Sequence, residues 1–190
     1  EQMEGEPFYW SPPVAAGGKV YINGLGGGGV TSAIDGATGD LLWQHGTFDG
    51  TDGCVAVADH VVYEAEACDQ LTALNALSGA ELWFHAGNCT GGGGAAPAAY
   101  GGMVWERDWA EGNIIVDSSG NETGSFAGDA IPAFDAGTAF YQANGTVSAV
   151  DIASDTLRWS FSGDVQICTS PVVARGGGQL YVAFTSGKVY

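Results

Sequence analysis

The chain has 190 residues, of which 45% are hydrophobic, and 22 acidic side chains oppose only 5 Lys and Arg, for a formal net charge of −17. A surface this negative repels phosphate groups, so nucleic-acid binding is not expected. The sequence contains no apolar run of the length that crosses a bilayer, and no direct membrane insertion is predicted.

The first regular signal is an apolar–aromatic pair that recurs along the chain. Its aromatic members, spaced by 42, 42, 36 and 40 residues, are Tyr21, Tyr63, Trp105, Tyr141 and Tyr181. A short run of small apolar residues precedes each pair, and in most repeats this run begins with Pro, as at Pro13 and Pro97. Because Pro is tolerated at the first position of a strand, each run and each pair is predicted to form a strand.

A second signal follows some of the pairs. In three phrases an Asp or Asn stands eight residues before a Trp, with a turn-forming residue halfway; the phrases span 35–43, 75–83 and 151–159 and end in Trp43, Trp83 and Trp159. A weaker copy runs from Asp117 to Phe126. Asp and Asn readily bond their own backbone in turns, so we interpret Asp35 and Asp151 as turn residues and the three Trp as core residues.

Each repeat therefore contains four short strands, and no segment has the periodicity of a helix. Short strands that recur four at a time predict an all-β propeller of antiparallel blades, whose stacking buries large aromatic side chains. We predict one propeller region over residues 1–190, with four complete blades and a partial fifth. The blades are predicted at residues 12–48, 53–87, 94–127 and 130–163, with the partial blade at 169–190 and residues 1–11 as the tail of an upstream blade.

Units with a small apolar run, an apolar–Tyr pair and a phrase that ends in Trp resemble the quinoprotein-type (PQQ-like) β-propeller repeat, over essentially the whole chain. Families with this repeat include quinone-dependent alcohol dehydrogenases, outer-membrane assembly scaffolds and extracellular sensor domains. Because such propellers usually close with more blades, we interpret the chain as an arc of a larger propeller. The alternative is a closed five-bladed ring in which Phe8-Tyr9-Trp10 supplies an outer strand.

The resemblance transfers no catalytic residue. Quinone dehydrogenases with this repeat hold their cofactor beside two adjacent disulfide-bonded cysteines, and no cysteines are adjacent in this sequence. Ser/His/Asp arrangements, phosphate-binding loops and zinc-protease motifs are also absent from the sequence. We therefore expect no organic cofactor and favour a protein that is not an enzyme.

Four carboxylates occupy matching positions just after the aromatic pairs of the second and third repeats. They are Glu64, Glu66, Glu106 and Asp108. Oxygen-rich groups of this kind can bind Ca²⁺, so one hypothesis is a cation site at the end of the propeller that carries the turns between the second and third strands. The alternative is that Arg107 and solvent neutralise the four charges.

All four cysteines are predicted at that same end of the propeller. They are Cys54, Cys68, Cys89 and Cys168. An even number of cysteines favours disulfides and an oxidising compartment, with buried free thiols as the alternative. Cys54 and Cys68 flank one hairpin and are predicted to form a disulfide, and Cys89 and Cys168 are predicted to be oxidised as well.

Three Asn-x-Thr sequons, at Asn88, Asn121 and Asn144, fall in predicted loops or turns, as glycan acceptors do. Together with the cysteines they indicate a secreted or extracytoplasmic protein, in the periplasm or at the cell surface. We expect a non-catalytic scaffold or binding module that presents an acidic face to a protein partner, to the remainder of a larger propeller, or to a cation. The alternatives are a fragment of a quinone-dependent dehydrogenase and the extracellular sensor domain of a membrane receptor.

Overall fold

The computed structural model of the chain is built from short β-strands joined by turns. It describes residues 11–24, 29–47, 53–68, 70–87, 95–108, 112–164, 166–167, 169–174 and 178–190. Within these ranges there are 18 strands and no helix, which confirms the all-β prediction. Residues 6–10, on which the closed five-bladed ring depends, lie outside the described ranges.

The strands form four antiparallel sheets of four strands each and one sheet of two strands. The first sheet contains β1 (Val14–Ala16), β2 (Lys19–Asn23), β3 (Val30–Asp35) and β4 (Leu41–Gly46). The second contains β5 (Ala56–Ala58), β6 (Val61–Glu66), β7 (Gln70–Asn75) and β8 (Glu81–His85). The third contains β9 (Ala98–Tyr100), β10 (Met103–Asp108), β11 (Gly112–Asp117) and β12 (Glu122–Ser125).

The fourth sheet contains β13 (Ala133–Asp135), β14 (Thr138–Ala143), β15 (Thr146–Asp151) and β16 (Thr156–Ser162), and the fifth contains β17 (Val172–Ala174) and β18 (Gln179–Tyr181). The chain divides into two compact units, Glu1–Gly124 and Ser125–Tyr190. Unit 1 holds the first three sheets, and unit 2 holds the fourth sheet and the two-stranded fifth. Four complete blades and a partial fifth are thus confirmed.

The core of each unit lies between consecutive sheets. In unit 1 one apolar cluster joins the first sheet to the second, and another joins the second to the third. The cluster between the first and second sheets contains Tyr21, Ala33, Trp43, Val55, Val62, Leu74 and Ala76. The cluster between the second and third sheets contains Tyr63, Ala65, Leu71, Ala73, Val104, Ile114 and Val116. In unit 2 Val147 packs with Val182 and Phe184. Burial between successive four-stranded sheets is the packing of propeller blades.

The three Trp phrases fold with the same bulge in the outermost strand of their sheet. In the first sheet Trp43 pairs with Ala33, and the register then shifts so that Leu42 is the extra residue. The same shift occurs beside Trp83 and Trp159. A bulge increases the local twist of a strand, so the repeated phrase encodes the twist of the outer edge as well as its turn.

Two Trp side chains of unit 1 cross the boundary to the next sheet and lie over a glycine. A Cβ at Gly79 would lie 2.6 Å from Trp43 Cδ2, and the Trp43 indole N–H donates to the Ala76 carbonyl at 3.3 Å. Trp83 repeats the arrangement over Gly120, at 3.0 Å, and donates to a main-chain oxygen at 2.9 Å. Both glycines also have positive φ, +70° and +86°. Glycine is therefore needed at these two positions for two reasons: it adopts the positive φ without strain, and it leaves room for the indole ring of the preceding sheet.

Candidate functional site

The polar residues of the repeated phrases are turn residues. Asp35 Oδ1 accepts hydrogen bonds from two following amides at 2.8 and 2.9 Å, and Asn75, Asp117 and Asp151 bond amides of their own turns. Amide hydrogen bonds hold the pKa of Asp35 and Asp117 below the usual carboxyl value. The Arg158 guanidinium and the turn lower the pKa of Asp151 to about 2. The predicted turn role is confirmed.

The repeat aromatics of unit 1 are core residues, as predicted. Tyr21, Trp43, Tyr63 and Trp105 are buried and Trp83 is half-buried. In unit 2 Tyr141 is half-buried, but Trp159 and Tyr181 are 44% and 43% exposed, so the expectation that they are buried between blades is wrong. Trp159 lies beside a sheet of two strands rather than four, which covers less of its ring, and Tyr181 belongs to β18 of that two-stranded sheet itself.

Three of the four carboxylates of the predicted cation site are buried side chains. Glu64 and Glu66 are two residues apart and therefore on one face of β6, and Glu106 holds the matching position of β10; their exposed fractions are 0%, 1% and 0%. Solvent therefore does not neutralise these three carboxylates. The alternative in which Arg107 and solvent neutralise the charges is wrong in its solvent part. Among the described side chains no three acidic, His or Cys groups have metal-binding geometry, so Glu64, Glu66 and Glu106 share no ion site by themselves. The side chain of Asp108 lies outside the described set.

Glu64 instead links the second sheet to the first. One of its oxygens lies 3.1 Å from His45 Nδ1, at the end of β4. The other contacts the Thr31 hydroxyl of β3, which also lies 2.6 Å from Asn23 Oδ1. The single proton of this hydroxyl serves one of the two acceptors at a time. Burial of a carboxylate is costly without such partners, and the first sheet provides them.

A cavity of about 320 Å³ adjoins this link in unit 1. Its walls are His45, Gly46, Thr47, Glu66, Thr72, Glu81 and Phe84. Glu66 accepts a hydrogen bond from the Thr72 hydroxyl at 3.0 Å, and His45 Nε2 lies 3.9 Å from Glu81. The cavity thus combines two acidic groups with an imidazole, two hydroxyls and an aromatic ring, and it offers more to a cationic group than to an anion.

Sequence reasoning did not assign Thr31 or His45 to this group. Both are parts of the repeat, Thr31 in the third strand and His45 two residues after a repeat Trp. The sequence does show that the position of Glu64 in the second repeat is occupied by Ile22 in the first repeat. This replacement of an apolar residue by a carboxylate was the feature that could have indicated a buried polar contact. A buried carboxylate in a strand implies a partner, but its identity depends on how the sheets stack.

The cysteine prediction is corrected at Cys54, which is a half-buried free thiol whose burial raises its pKa. Extension of the β5–β6 register places Cys54 opposite Ala65, three residues before Cys68. Three residues of strand span about 10 Å, beyond the reach of a disulfide, so the Cys54–Cys68 bridge is wrong. Cys68 itself is disulfide-bonded. Cys89 and Cys168 lie outside the described residues, and their oxidation stays a prediction.

Two of the three sequons lie in exposed turns of the described structure. Asn121 is exposed and its amide donates to the Asp117 carboxylate at 3.2 Å, while Asn144 is exposed with φ at +50°. Asn88 falls outside the described residues, and glycosylation of all three stays a prediction. No helix long and apolar enough to cross a bilayer occurs in the described part of the chain.

Comparison with known proteins agrees with this architecture. The family model described as outer membrane protein assembly factor BamB matches residues 2–100 and again residues 94–190. Among solved structures, BamB from Moraxella catarrhalis aligns with a TM-score of 0.69 at 21% identity, over 94% of this chain and 62% of that one. No curated protein matches the sequence.

Other solved structures align over similar lengths of this chain. A europium-containing methanol dehydrogenase gives a TM-score of 0.63 at 12% identity, over 92% of this chain and 47% of its own. A chain of a mitotic checkpoint complex gives 0.71 at 13% identity, over 91% and 56%. The chain thus spans less than two thirds of each structure, and at these identities the likeness is one of fold.

Proposed function

Because the chain belongs to the family of the outer membrane protein assembly factor BamB, with its PQQ-like propeller repeat, we propose that it is a non-catalytic scaffold or binding module with an acidic docking surface. The observation that carries the proposal is the charge of the chain, which has 22 acidic and only 5 basic side chains. The polar residues of the repeated phrases form hydrogen bonds within their own turns. The proposed partner is a protein with a basic docking segment, in an extracytoplasmic compartment.

The docking surface proposed in unit 1 is the edge that carries the turns β1–β2, β3–β4, β5–β6, β7–β8, β9–β10 and β11–β12, here called the turn edge. These turns lie together because successive strands of each sheet are antiparallel. Asp40 and Asp59 are exposed there, Asp35 and Asp117 are half-exposed, and Lys19 opposes them. A surface of one sign steers a partner of the opposite sign and sets the salt dependence of its binding.

The extracytoplasmic location is supported by the family and by the bonded Cys68. The family model is that of an outer membrane protein assembly factor, and disulfides persist in oxidising compartments. A Ca²⁺ bound with the help of Asp108, and glycans at Asn88, Asn121 and Asn144, remain proposals of the same kind.

The docking proposal is tested by selecting peptides from a displayed library with the whole chain as bait. We expect enrichment of Lys- and Arg-rich peptides whose affinity falls as salt rises. Asp40→Asn with Asp59→Asn should weaken the binding of these peptides several-fold, whereas Asp155→Asn, at an exposed acid of unit 2 outside this surface, should change affinity little. Selection of peptides without basic residues, or equal binding by all variants, would overturn the docking surface.

The non-catalytic assignment has a separate test. Titration with pyrroloquinoline quinone and Ca²⁺ should give no saturable binding, and a dye-linked assay with primary alcohols should give no turnover. Stoichiometric quinone binding with alcohol oxidation would replace the scaffold by the dehydrogenase alternative, whatever the peptide selection shows.

A further inference from the structure

The boundary between the first two sheets is held at two places of different character. One part is apolar and built around Tyr21 and Trp43, which donate to the Ala76 carbonyl at 3.2 and 3.3 Å. The other is polar and contains the contact between His45 of the first sheet and Glu64 of the second. The polar contact has a completely buried carboxylate on one side and a partly exposed imidazole, 23% accessible, on the other.

The second boundary of unit 1 has a histidine at the same repeat position but not the same contact. His85, like His45, stands two residues after a repeat Trp. Its Nδ1 lies 3.1 Å from the Gly120 carbonyl, a neutral main-chain acceptor. Only the first boundary thus joins this histidine to a carboxylate, among the contacts of the described residues. The two positions form a natural matched pair.

We propose that the His45–Glu64 contact is a pH-sensitive latch between the first two sheets, closed when His45 is protonated and loosened when it is neutral. Protonated His45 donates a charge-assisted hydrogen bond to the buried carboxylate, which is stronger than a bond between neutral groups. Loss of that proton leaves the fully buried Glu64 beside a neutral imidazole, and a buried charge without a charged partner is costly. The apolar part of the boundary does not titrate in this range and keeps the sheets associated.

The charged groups that act on His45 are carboxylates: Glu64 and Glu66 of β6, and Glu81 of β8. The hydrogen bond with Glu64 is the main cause that raises the pKa of His45 above its usual 6.5; burial acts in the opposite direction, and the charges of Glu64, Glu81 and Glu66 add to the increase. Because the folded-state pKa is the higher one, the stabilisation is complete below pH 6.5 and is lost as pH rises through the folded-state value.

The cavity beside the latch responds to the same proton. His45, Glu66 and Glu81 all line it, so deprotonation of His45 removes its one positive charge and leaves both carboxylates facing the space. The loosened state therefore has a more negative cavity at the boundary. This makes the latch a device that couples pH to both the packing of two blades and the charge between them.

Two measurements on the whole chain test the latch. Imidazole NMR of the three histidines should give His45 a titration midpoint above 6.5. Amide-exchange protection in β4 and β6, corrected for the intrinsic pH dependence of exchange, should fall about tenfold between about pH 5.5 and pH 8.5, as loss of a charge-assisted bond implies. In His45→Gln that fall should disappear, while His85→Gln should keep it.

The outcomes separate clearly. A His45 midpoint at or below 6.5, protection of the wild-type chain that is independent of pH, or an unchanged fall in His45→Gln would each overturn the latch. If His45→Gln does not fold, the wild-type titration still decides, and Glu64→Gln supplies the second variant: it should lower the His45 midpoint, and an unchanged midpoint would overturn the proposal.

Discussion

The contact between a Trp ring of one blade and a glycine of the next can be tested by mutation with a matched control. Gly79 and Gly39 occupy the same position of the repeated phrase and both have positive φ, +70° and +78°. A Cβ at Gly79 would lie 2.6 to 2.9 Å from three ring atoms of Trp43, whereas a Cβ at Gly39 would meet nothing within 4 Å. The two sites therefore share the backbone strain and differ in the clash.

The expected losses of unfolding free energy follow from these two terms. Alanine in the left-handed region costs roughly 1–2 kcal/mol, which is the whole effect expected of Gly39→Ala. At Gly79 the fused indole atoms belong to a ring that is 8% exposed, so overpacking adds about 1–3 kcal/mol and the total is about 2–5 kcal/mol. Gly120→Ala should fall between the two, because its closest ring atom is 3.0 Å away.

Urea denaturation followed by far-UV circular dichroism measures these losses. Trp43→Ala in the Gly79→Ala background should recover much of the clash and reveal a coupling between the two positions, because it removes the ring that the methyl group meets. Equal destabilisation by Gly79→Ala and Gly39→Ala, or strictly additive effects in the double variant, would refute the reasoning from Trp–glycine contact.

Three further results are expected. Asp151→Asn should reduce the stability that the chain loses on acidification. A carboxyl whose pKa is lowered to about 2 stabilises the fold above pH 3.8, and this effect is lost as pH falls through 2. If acid unfolding of the variant matches that of the wild type, the Arg158 contact is contradicted. Mass spectrometry of the unreduced, denatured chain should find Cys54 alkylated and Cys68 protected; the reverse labelling would contradict the assignment. Tyr21→Phe should cost about 0.5–1.5 kcal/mol in thermal denaturation through its lost hydrogen bond, and no loss would contradict that bond.

The local structure of the blades was predictable because it depends on residues close together in the sequence. Strand periodicity, the aromatic pairs and the turn-forming Asp35 and Asp151 involve contacts within a few residues, and the turn bonds of both occur as expected. The recurrence of the pattern then indicated a propeller, since a single four-stranded sheet buries too little apolar surface alone.

Contacts between repeats were not predictable, because their partners are separated in the sequence by distances such as 19 residues for His45 and Glu64 and 55 for Tyr21 and Ala76. Glu64 was predicted to be a surface ligand, yet stacking of the sheets places it against Thr31 and His45 with no exposed area. Trp159 carries the same local phrase as Trp43 and is exposed, because burial of the ring depends on the neighbouring sheet. Cys54 has the predicted hairpin, but the register places Cys68 beyond its reach.

The amino-acid sequence by itself thus determined the strands, turns and repeat of this protein, since hydrogen bonding and side-chain alternation along a strand are local. Only the tertiary structure decided which polar groups are buried and which histidine meets a carboxylate. The physical reason is that the free energy of a buried charge depends on the groups brought to it by the next blade, and no periodic pattern encodes their identity.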